Sequence, residues 1–246
     1  MQDNTYIMPI FEYSLINFIF SALLAGTIFI IMMYFYKASK KASGIAQKKN
    51  LKLLTYGWIF FWLAYTFVSI RVLMWPYYWI DNLMFKIAAS LFAIGIIPIM
   101  KLISEDVLGK NNFIVLIWTI ITISLIVSIF TTTQERILDF YGSEWIPNNL
   151  VSSEFLFDFG LTGIVFLIIL SYHAVISEDE QIGNKMLNLG ILFFLFFILT
   201  FYEGSGLGSD LLFGWGFIIN RILIALVSYL IAVVWFEKKN FFKKKK

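Results

Sequence analysis

Long runs of apolar residues alternate with short polar stretches along the whole chain of 246 residues. Each run holds about 20 residues, which at a rise of about 1.5 Å per residue is enough to cross a hydrocarbon core of about 30 Å. Because lipid offers the backbone no hydrogen-bond partners, each run is predicted to form an α-helix. The pattern therefore predicts an all-α integral membrane protein, a seven-transmembrane helix bundle. The predicted spans are 13–36, 53–75, 82–103, 113–131, 155–177, 186–203 and 211–236.

Basic residues collect on one side of this predicted bundle. Of the 19 Lys and Arg, six lie in the first connection, 37–52, and six more lie in 238–246. Three further lysines fall on the same side, whereas the opposite connections carry only Arg136. The positive-inside rule then predicts that the N-terminus is outside and the C-terminus cytoplasmic. The predicted parts are a short outer segment, the transmembrane bundle and a polybasic cytoplasmic tail, at 1–12, 13–236 and 237–246.

The composition agrees with a multi-pass protein of the cell membrane. Sixty per cent of the residues are hydrophobic and only 14% are charged. The formal net charge of +3 comes from lysines that set the orientation, and it does not indicate a surface for nucleic acid. We expect the lipid bilayer as the main partner, with anionic lipids at the basic tail.

Charged residues inside the predicted spans are the sharpest chemical signal. Each one costs roughly 2.5–3.5 kcal/mol at the centre of a membrane helix, so it needs a partner or a function. Arg221 lies deepest in its run, and an arginine does not lose its proton in proteins. The predicted anions and cations fall in the outer half of the bundle, where they outline an outward-facing polar cavity. The predicted ligand-binding set is Arg221, Glu203, Asp158, Lys86, Arg71 and Trp215.

Three interpretations of this set stay open. The charges can form a buried network of ion pairs that fixes the order of the helices. They can line a pocket for an extracellular ligand, either a small molecule or a lipid. They can also belong to a path for ions or protons, although the inner halves of the later spans are almost wholly apolar.

A stripe of small and polar residues runs along the first predicted span. Ser14, Asn17, Ser21 and Ala25 are three or four residues apart, which places them on one face of a helix. Small residues let helix backbones approach closely in lipid, so we interpret the stripe as a helix-packing face.

The inventory of catalytic and metal-binding residues is thin. The chain has no cysteine and one histidine, His173. A single histidine without cysteine cannot form a histidine- or cysteine-based metal site. No serine lies near a histidine on the outer side, and no pair of aspartates faces each other inside predicted helices. We therefore expect no enzyme, no bound metal and no cofactor.

Several diffuse features carry a family resemblance. A lysine-rich first inner connection precedes a second run rich in Trp and Tyr, and the third run ends in LFAIGIIPIMKLISED at 91–106. A long outer connection, 132–154, precedes the fifth run. Over nearly its whole length the chain resembles the seven-helix membrane sensor region of microbial histidine kinases and related signalling proteins. The resemblance implies a sensor. Because these 246 residues hold no kinase domain, it implies either a separate signalling partner in the cytoplasm or membrane, or an output domain in a longer form of the chain.

A second resemblance is confined to one segment. LLFGWGFIINR, at 211–221, resembles the start of the seventh helix of microbial rhodopsins, which share the predicted topology. Arg221 stands where the retinal-bearing lysine of that family would lie. Arginine forms no stable Schiff base, so we expect no covalently bound retinal.

The leading hypothesis is a receptor-like sensor that binds a small ligand in the outward-facing cavity and signals to a separate partner. The alternatives are a transporter or channel for a small solute or ion, a rhodopsin-like protein without covalent retinal, and a non-catalytic structural membrane subunit. A transporter requires a continuous polar path, whereas a structural subunit requires only that the buried charges neutralise one another.

Overall fold

The computed structural model describes residues 7–74, 76–106, 112–133, 135–139, 142–146, 149–204 and 215–236. Within these ranges, seven helical segments are long and apolar enough to cross a membrane. The all-α bundle predicted from the sequence is thus confirmed at the level of its seven spans.

Eight α-helices and one short hairpin make up the described chain. The first four helices are α1 (Ile7–Lys41), α2 (Ile45–Leu73), α3 (Tyr78–Asp106) and α4 (Asn112–Thr131). An antiparallel hairpin follows, with strands β1 (Glu135–Asp139) and β2 (Gly142–Ile146). The fifth span consists of α5 (Asn149–Phe155), one π-helical turn (Leu156–Gly160) and α6 (Leu161–Ile176). The last two spans are α7 (Glu180–Gly204) and α8 (Trp215–Phe236).

The helices form a closed ring in the order of the chain. Each helix packs against the next one, and α8 returns to pack against α1. Short connections between successive helices make the neighbours antiparallel, so the bundle has two ends. We call them the lysine-rich end, where α1 stops at Lys41 and α2 starts at Ile45, and the hairpin end, where the β-hairpin follows α4. Strand β2 lies against α1 at the hairpin end, and the hairpin therefore reaches across from the α4 side of the ring.

An aromatic layer fills the middle of the bundle. Trp58 and Phe61 of α2 both contact Phe196 of α7, with ring centroids 5.4 and 5.2 Å apart. These side chains are wholly buried, as is the neighbouring Phe197. Phe92 of α3 extends the layer by an edge contact with Phe159 of the fifth span, at 6.3 Å. Aromatic pairs of this kind add about 0.5–1.5 kcal/mol each beyond the area they bury. The layer separates the two ends of the bundle.

Helices α2 and α3 approach closely because each carries a glycine at the crossing. A Cβ atom on Gly57 would lie 2.7 Å from Cγ1 of Ile99, and one on Gly95 would lie 2.7 Å from Cε1 of Phe61. Small residues at such crossings are a general device of membrane helices, where close packing replaces the hydrophobic drive. The two glycines therefore allow Phe61 to enter the aromatic layer directly beneath α3.

The helices run further than the apolar runs that predict them. Lys48, Lys49 and Lys52, predicted to lie in the first inner connection, belong to the first turns of α2. Lysine and glutamine are good helix formers, so the helix continues where the apolar pattern stops. The predicted outer segment 1–12 likewise includes part of α1, which begins at Ile7. The predicted tail 237–246 and residues 211–214 of the predicted seventh run lie outside the described residues.

Candidate functional site

Arg221 joins three helices near the hairpin end of the bundle. Its side chain, 2% exposed, extends from α8 to Glu203 of α7, and its Nε and Nη2 atoms lie 2.7 and 2.6 Å from the same carboxylate oxygen, Oε1. Its Nη1 donates to Oγ of Ser21 at 2.7 Å and to Oδ1 of Asn17, both on α1. Charge-assisted hydrogen bonds of this kind are about twice as strong as neutral ones.

The second oxygen of Glu203 is also occupied. Asn220, next to Arg221 on α8, donates from Nδ2 to Oε2 of Glu203 at 3.0 Å and to the Leu199 carbonyl at 3.0 Å. Ser21 in turn donates to the Asn17 carbonyl at 2.6 Å. We call Asn17, Ser21, Glu203, Asn220 and Arg221 the Arg221 cluster. Within it, both buried charges have opposite or dipolar partners, so the cluster satisfies itself without a ligand.

A small cavity lies beside the Arg221 cluster. Its volume is ≈ 40 Å³, and its polar walls are Arg71, Glu203 and Arg221. A few water molecules fill a space of this size, since each needs roughly 10–15 Å³ measured in this way. A ligand larger than a few atoms would enter only if the helices around Arg221 moved apart. The remaining walls are Val68, Phe85, Ala88, Ala89, Phe92, Phe155 and Phe217.

Arg71 has a carboxylate of its own nearby. Its Nη1 lies 3.9 Å from Oδ1 of Asp81, and both side chains are buried. This pair connects the end of α2 to the first turn of α3 across a short connection. It therefore holds the second arginine of the cavity at the α2–α3 side, opposite the Arg221 cluster.

Asp158 occupies a different position, inside the π-helical turn of the fifth span. Asp158 is fully buried, and neither oxygen of its carboxyl group has a hydrogen-bond partner among the described residues. One turn further along, Oγ1 of Thr162 donates to the Asp158 carbonyl and accepts from Nε1 of Trp118 at 2.7 Å. π-helical turns inside α-helices occur frequently at functional sites, and a bare buried carboxylate is costly. Asp158 is therefore a second candidate residue, separate from the Arg221 cluster.

The lone carboxylate yields a stability prediction. Asp158→Asn keeps the shape of the side chain and fixes it in a neutral form, so we expect the free energy of unfolding to stay equal or to rise by about 1 kcal/mol, because no hydrogen-bond or ionic partner of the carboxyl group is lost. Thermal unfolding in detergent measures the change. The matched control is Glu154→Gln, one turn earlier on the fifth span, where the carboxylate accepts from Oγ of Ser124 at 2.7 Å. A clear loss of stability in Asp158→Asn alone would show that the Asp158 carboxylate has a partner.

The six predicted ligand-binding residues do not all meet. One cavity is lined by three of them, Arg71, Glu203 and Arg221, which the sequence places in the outer half of the bundle. Asp158 lies in the π-helical turn, and Lys86 points towards the end of α4, where its Nζ lies 3.4 Å from the Phe130 carbonyl. Trp215 is the first described residue of α8, and its side chain lies outside the described part of the chain.

Sequence reasoning missed part of the Arg221 cluster. The sequence pattern predicts a helix-packing face at Asn17 and Ser21. They do face another helix, and they accept hydrogen bonds from Arg221 there. The signal was a pair of hydrogen-bonding residues on one face of the first span. Such a pair is a natural partner for a buried arginine in another span. The role of Asn220 had no comparable signal beyond its position next to Arg221.

A larger cavity opens at the lysine-rich end. Its volume is ≈ 630 Å³, within the usual range of ligand pockets. The polar residues on its wall are Gln47, Asn50, His173 and Lys185, and the other lining residues are apolar. Lys185 is held at the wall because its Nζ donates to the Trp235 carbonyl at 2.8 Å. The aromatic layer closes this cavity towards the Arg221 cluster. We call it the lysine-end cavity.

The described residues contain no group of three or more His, Asp or Glu side chains that could hold a metal ion. Comparison with known proteins adds no assignment: no protein-family model matches the chain, and no curated protein matches it either.

Proposed function

We propose that the protein is a receptor-like membrane sensor, in which a small outer ligand acts by opening the Arg221 cluster. The observation that carries this proposal is that one arginine connects α1, α7 and α8 beside a cavity that is too small for a ligand in the present packing. A ligand that binds there must favour a second arrangement of these helices. A preference for one of two packings is what a sensor needs.

The chemistry of the cluster defines the class of ligand. A competing group must replace Glu203 on the guanidinium of Arg221, so it carries a carboxylate or a comparable planar anion. A ligand that also carries an ammonium group would pair with the released Glu203. We therefore propose a small anionic or zwitterionic solute as the stimulus. By the distribution of lysines it arrives from the outer side, and the response is passed to a separate partner at the lysine-rich end.

Native mass spectrometry on gently purified protein tests this site. We expect a small co-purifying or added acid to bind the wild-type protein and to be lost in Arg221→Met. The variant Asn17→Ala removes one acceptor of Arg221 and leaves the ion pair, so the open packing becomes easier to reach and apparent affinity rises. Lys86→Met is the matched control, because Lys86 lies at a different helix pair. Equal binding by wild type, Arg221→Met and Asn17→Ala would contradict the assignment.

A carrier is the second candidate, and one observation favours it. The hairpin end is closed around Arg221, whereas the lysine-rich end holds a cavity of ≈ 630 Å³, which is the arrangement expected of a carrier that faces one side. The buried aromatic layer, with Trp58, Phe61 and Phe196, leaves no continuous polar path between the two in the described residues. Solute uptake in proteoliposomes, with Arg221→Met as a variant that loses it, would favour the carrier over the sensor.

A further inference from the structure

The lysine-end cavity is an unassigned site with a definite chemical character. It extends between α2, α3, α6, α7 and α8, and Phe166 and Phe193 lie at its deep side, next to the aromatic layer. Its polar residues all lie within about two turns of helix ends: Gln47 and Asn50 at the start of α2, His173 near the end of α6, and Lys185 near the start of α7. The inner part of the cavity is therefore apolar, and its polar residues lie near its opening.

The charge at the rim is positive. Among the described residues that line the cavity, Lys185 is the only one with a fixed charge, and none is a carboxylate. The Lys185 ammonium is anchored on the Trp235 carbonyl in the last turn of α8, so it stays at the cavity wall rather than extending into solvent. Further lysines stand nearby in sequence on the first turns of α2, and the acids Asp179 and Glu180 stand at the start of α7 without lining the cavity. Basic sites between membrane helices on the cytoplasmic side are suited to anionic lipid headgroups.

We propose that the lysine-end cavity binds an anionic amphiphile, with its headgroup at Lys185 and one acyl chain reaching towards Phe166 and Phe193. The shape supports this assignment, because a deep apolar space with a single cationic rim matches a molecule with an apolar chain and one anionic end. A compact polar solute would leave most of the apolar wall uncovered. The site lies beyond the aromatic layer from the Arg221 cluster, so it does not depend on the proposed sensor function.

The occupant can come from the bilayer itself or from free fatty acid, and the probes separate these sources. Protein in phosphatidylcholine nanodiscs is titrated with oleate, with dioleoyl phosphatidylglycerol and with oleyl alcohol, and bound lipid is counted by native mass spectrometry. We expect oleate or phosphatidylglycerol to bind and oleyl alcohol, which has the same chain without the charge, to bind at least about tenfold more weakly. Binding of oleate alone identifies a fatty-acid site; binding of phosphatidylglycerol identifies a phospholipid site.

Matched variants connect the binding to this cavity. Lys185→Gln is expected to weaken binding of the anion about tenfold, and Lys185→Arg to restore it. Leu170→Trp fills the cavity wall and is expected to abolish binding, whereas Ile191→Trp places the same ring on the exposed face of α7 and leaves it intact. Lys48→Gln, an exposed lysine at the same end, is the charge control. Full affinity in both Lys185→Gln and Leu170→Trp, or equal binding of oleyl alcohol, would overturn the proposal.

Discussion

Arg221→Met is expected to destabilise the folded protein by about 3–5 kcal/mol, because it leaves Glu203 as a buried charge without its counter-ion. The guanidinium of α8 contacts two other helices, α1 and α7, and its four polar contacts to them are lost together. Methionine has a similar length, so the change removes charge and hydrogen bonding with little change of volume. Thermal or denaturant unfolding in a fixed detergent measures the loss.

The double variant separates a charge effect from a packing effect. In Glu203→Leu/Arg221→Met both charges are gone, and buried ion pairs replaced by apolar residues are often neutral or even stabilised. We therefore expect the double variant to recover most of the stability that Arg221→Met loses. Lys86→Met, which removes a half-buried cation with two weak contacts to Phe130, is expected to change stability by less than about 1 kcal/mol. If Arg221→Met also lowers the free energy of unfolding by less than about 1 kcal/mol, the Arg221 cluster does not stabilise the packing of α1, α7 and α8.

The spans were predictable because the property that defines them is local. About 20 apolar residues in a row identify a membrane helix wherever they occur, and each described span overlaps one of these runs over most of its length. The residues at which the helices begin and end were less predictable. Lys48 and Lys52 are compatible with both helix and solvent, so hydropathy alone placed them outside α2, although the helix includes them.

The candidate site was predictable only in part, because it depends on how each helix is rotated. A buried arginine requires a partner, which made Arg221 and Glu203 candidates, and the structure places them 2.6 Å apart. The sequence could not say that Asn17 faces the same arginine, nor that Asp158 lies alone in a π-helical turn. The contact of Asn17 depends on the order of the helices, and the position of Asp158 depends on one extra residue in a helical turn. Neither property produces a periodic pattern in the sequence.

The lysine-end cavity had no sequence signal either. Its walls come from five helices, and residues such as Leu51, Leu102 and Leu170 read as ordinary apolar positions of their own spans. Lys185 was interpreted as one of the lysines that set the orientation of the protein. A cavity is a property of packing between helices, so it becomes visible only when the helices are assembled.

The second large effect expected is a change in helix packing when the Arg221 cluster is lost. If the unpaired Glu203 carboxylate in Arg221→Met destabilises the present packing by about 3–5 kcal/mol, the balance between two packings shifts by about 10²–10⁴-fold. Helices α1, α7 and α8 are the ones released, and of these α7 and α8 also form walls of the lysine-end cavity. A change at the hairpin end should therefore be detectable at the lysine-rich end.

The chain is well suited to the decisive measurement because it contains no cysteine. Spin labels at Lys48→Cys and Asn184→Cys, both exposed and next in sequence to the lining residues Gln47 and Lys185 of the lysine-end cavity, report the distance between α2 and α7 by pulsed electron paramagnetic resonance. We predict one narrow distance distribution in the otherwise wild-type protein and in Lys86→Met. We predict a distribution displaced by about 2 Å or more in Arg221→Met, and a return towards the wild-type distribution in Glu203→Leu/Arg221→Met, where no unpaired charge remains. Identical distributions in all four folded proteins would contradict the claim that the Arg221 cluster controls a two-state helix packing.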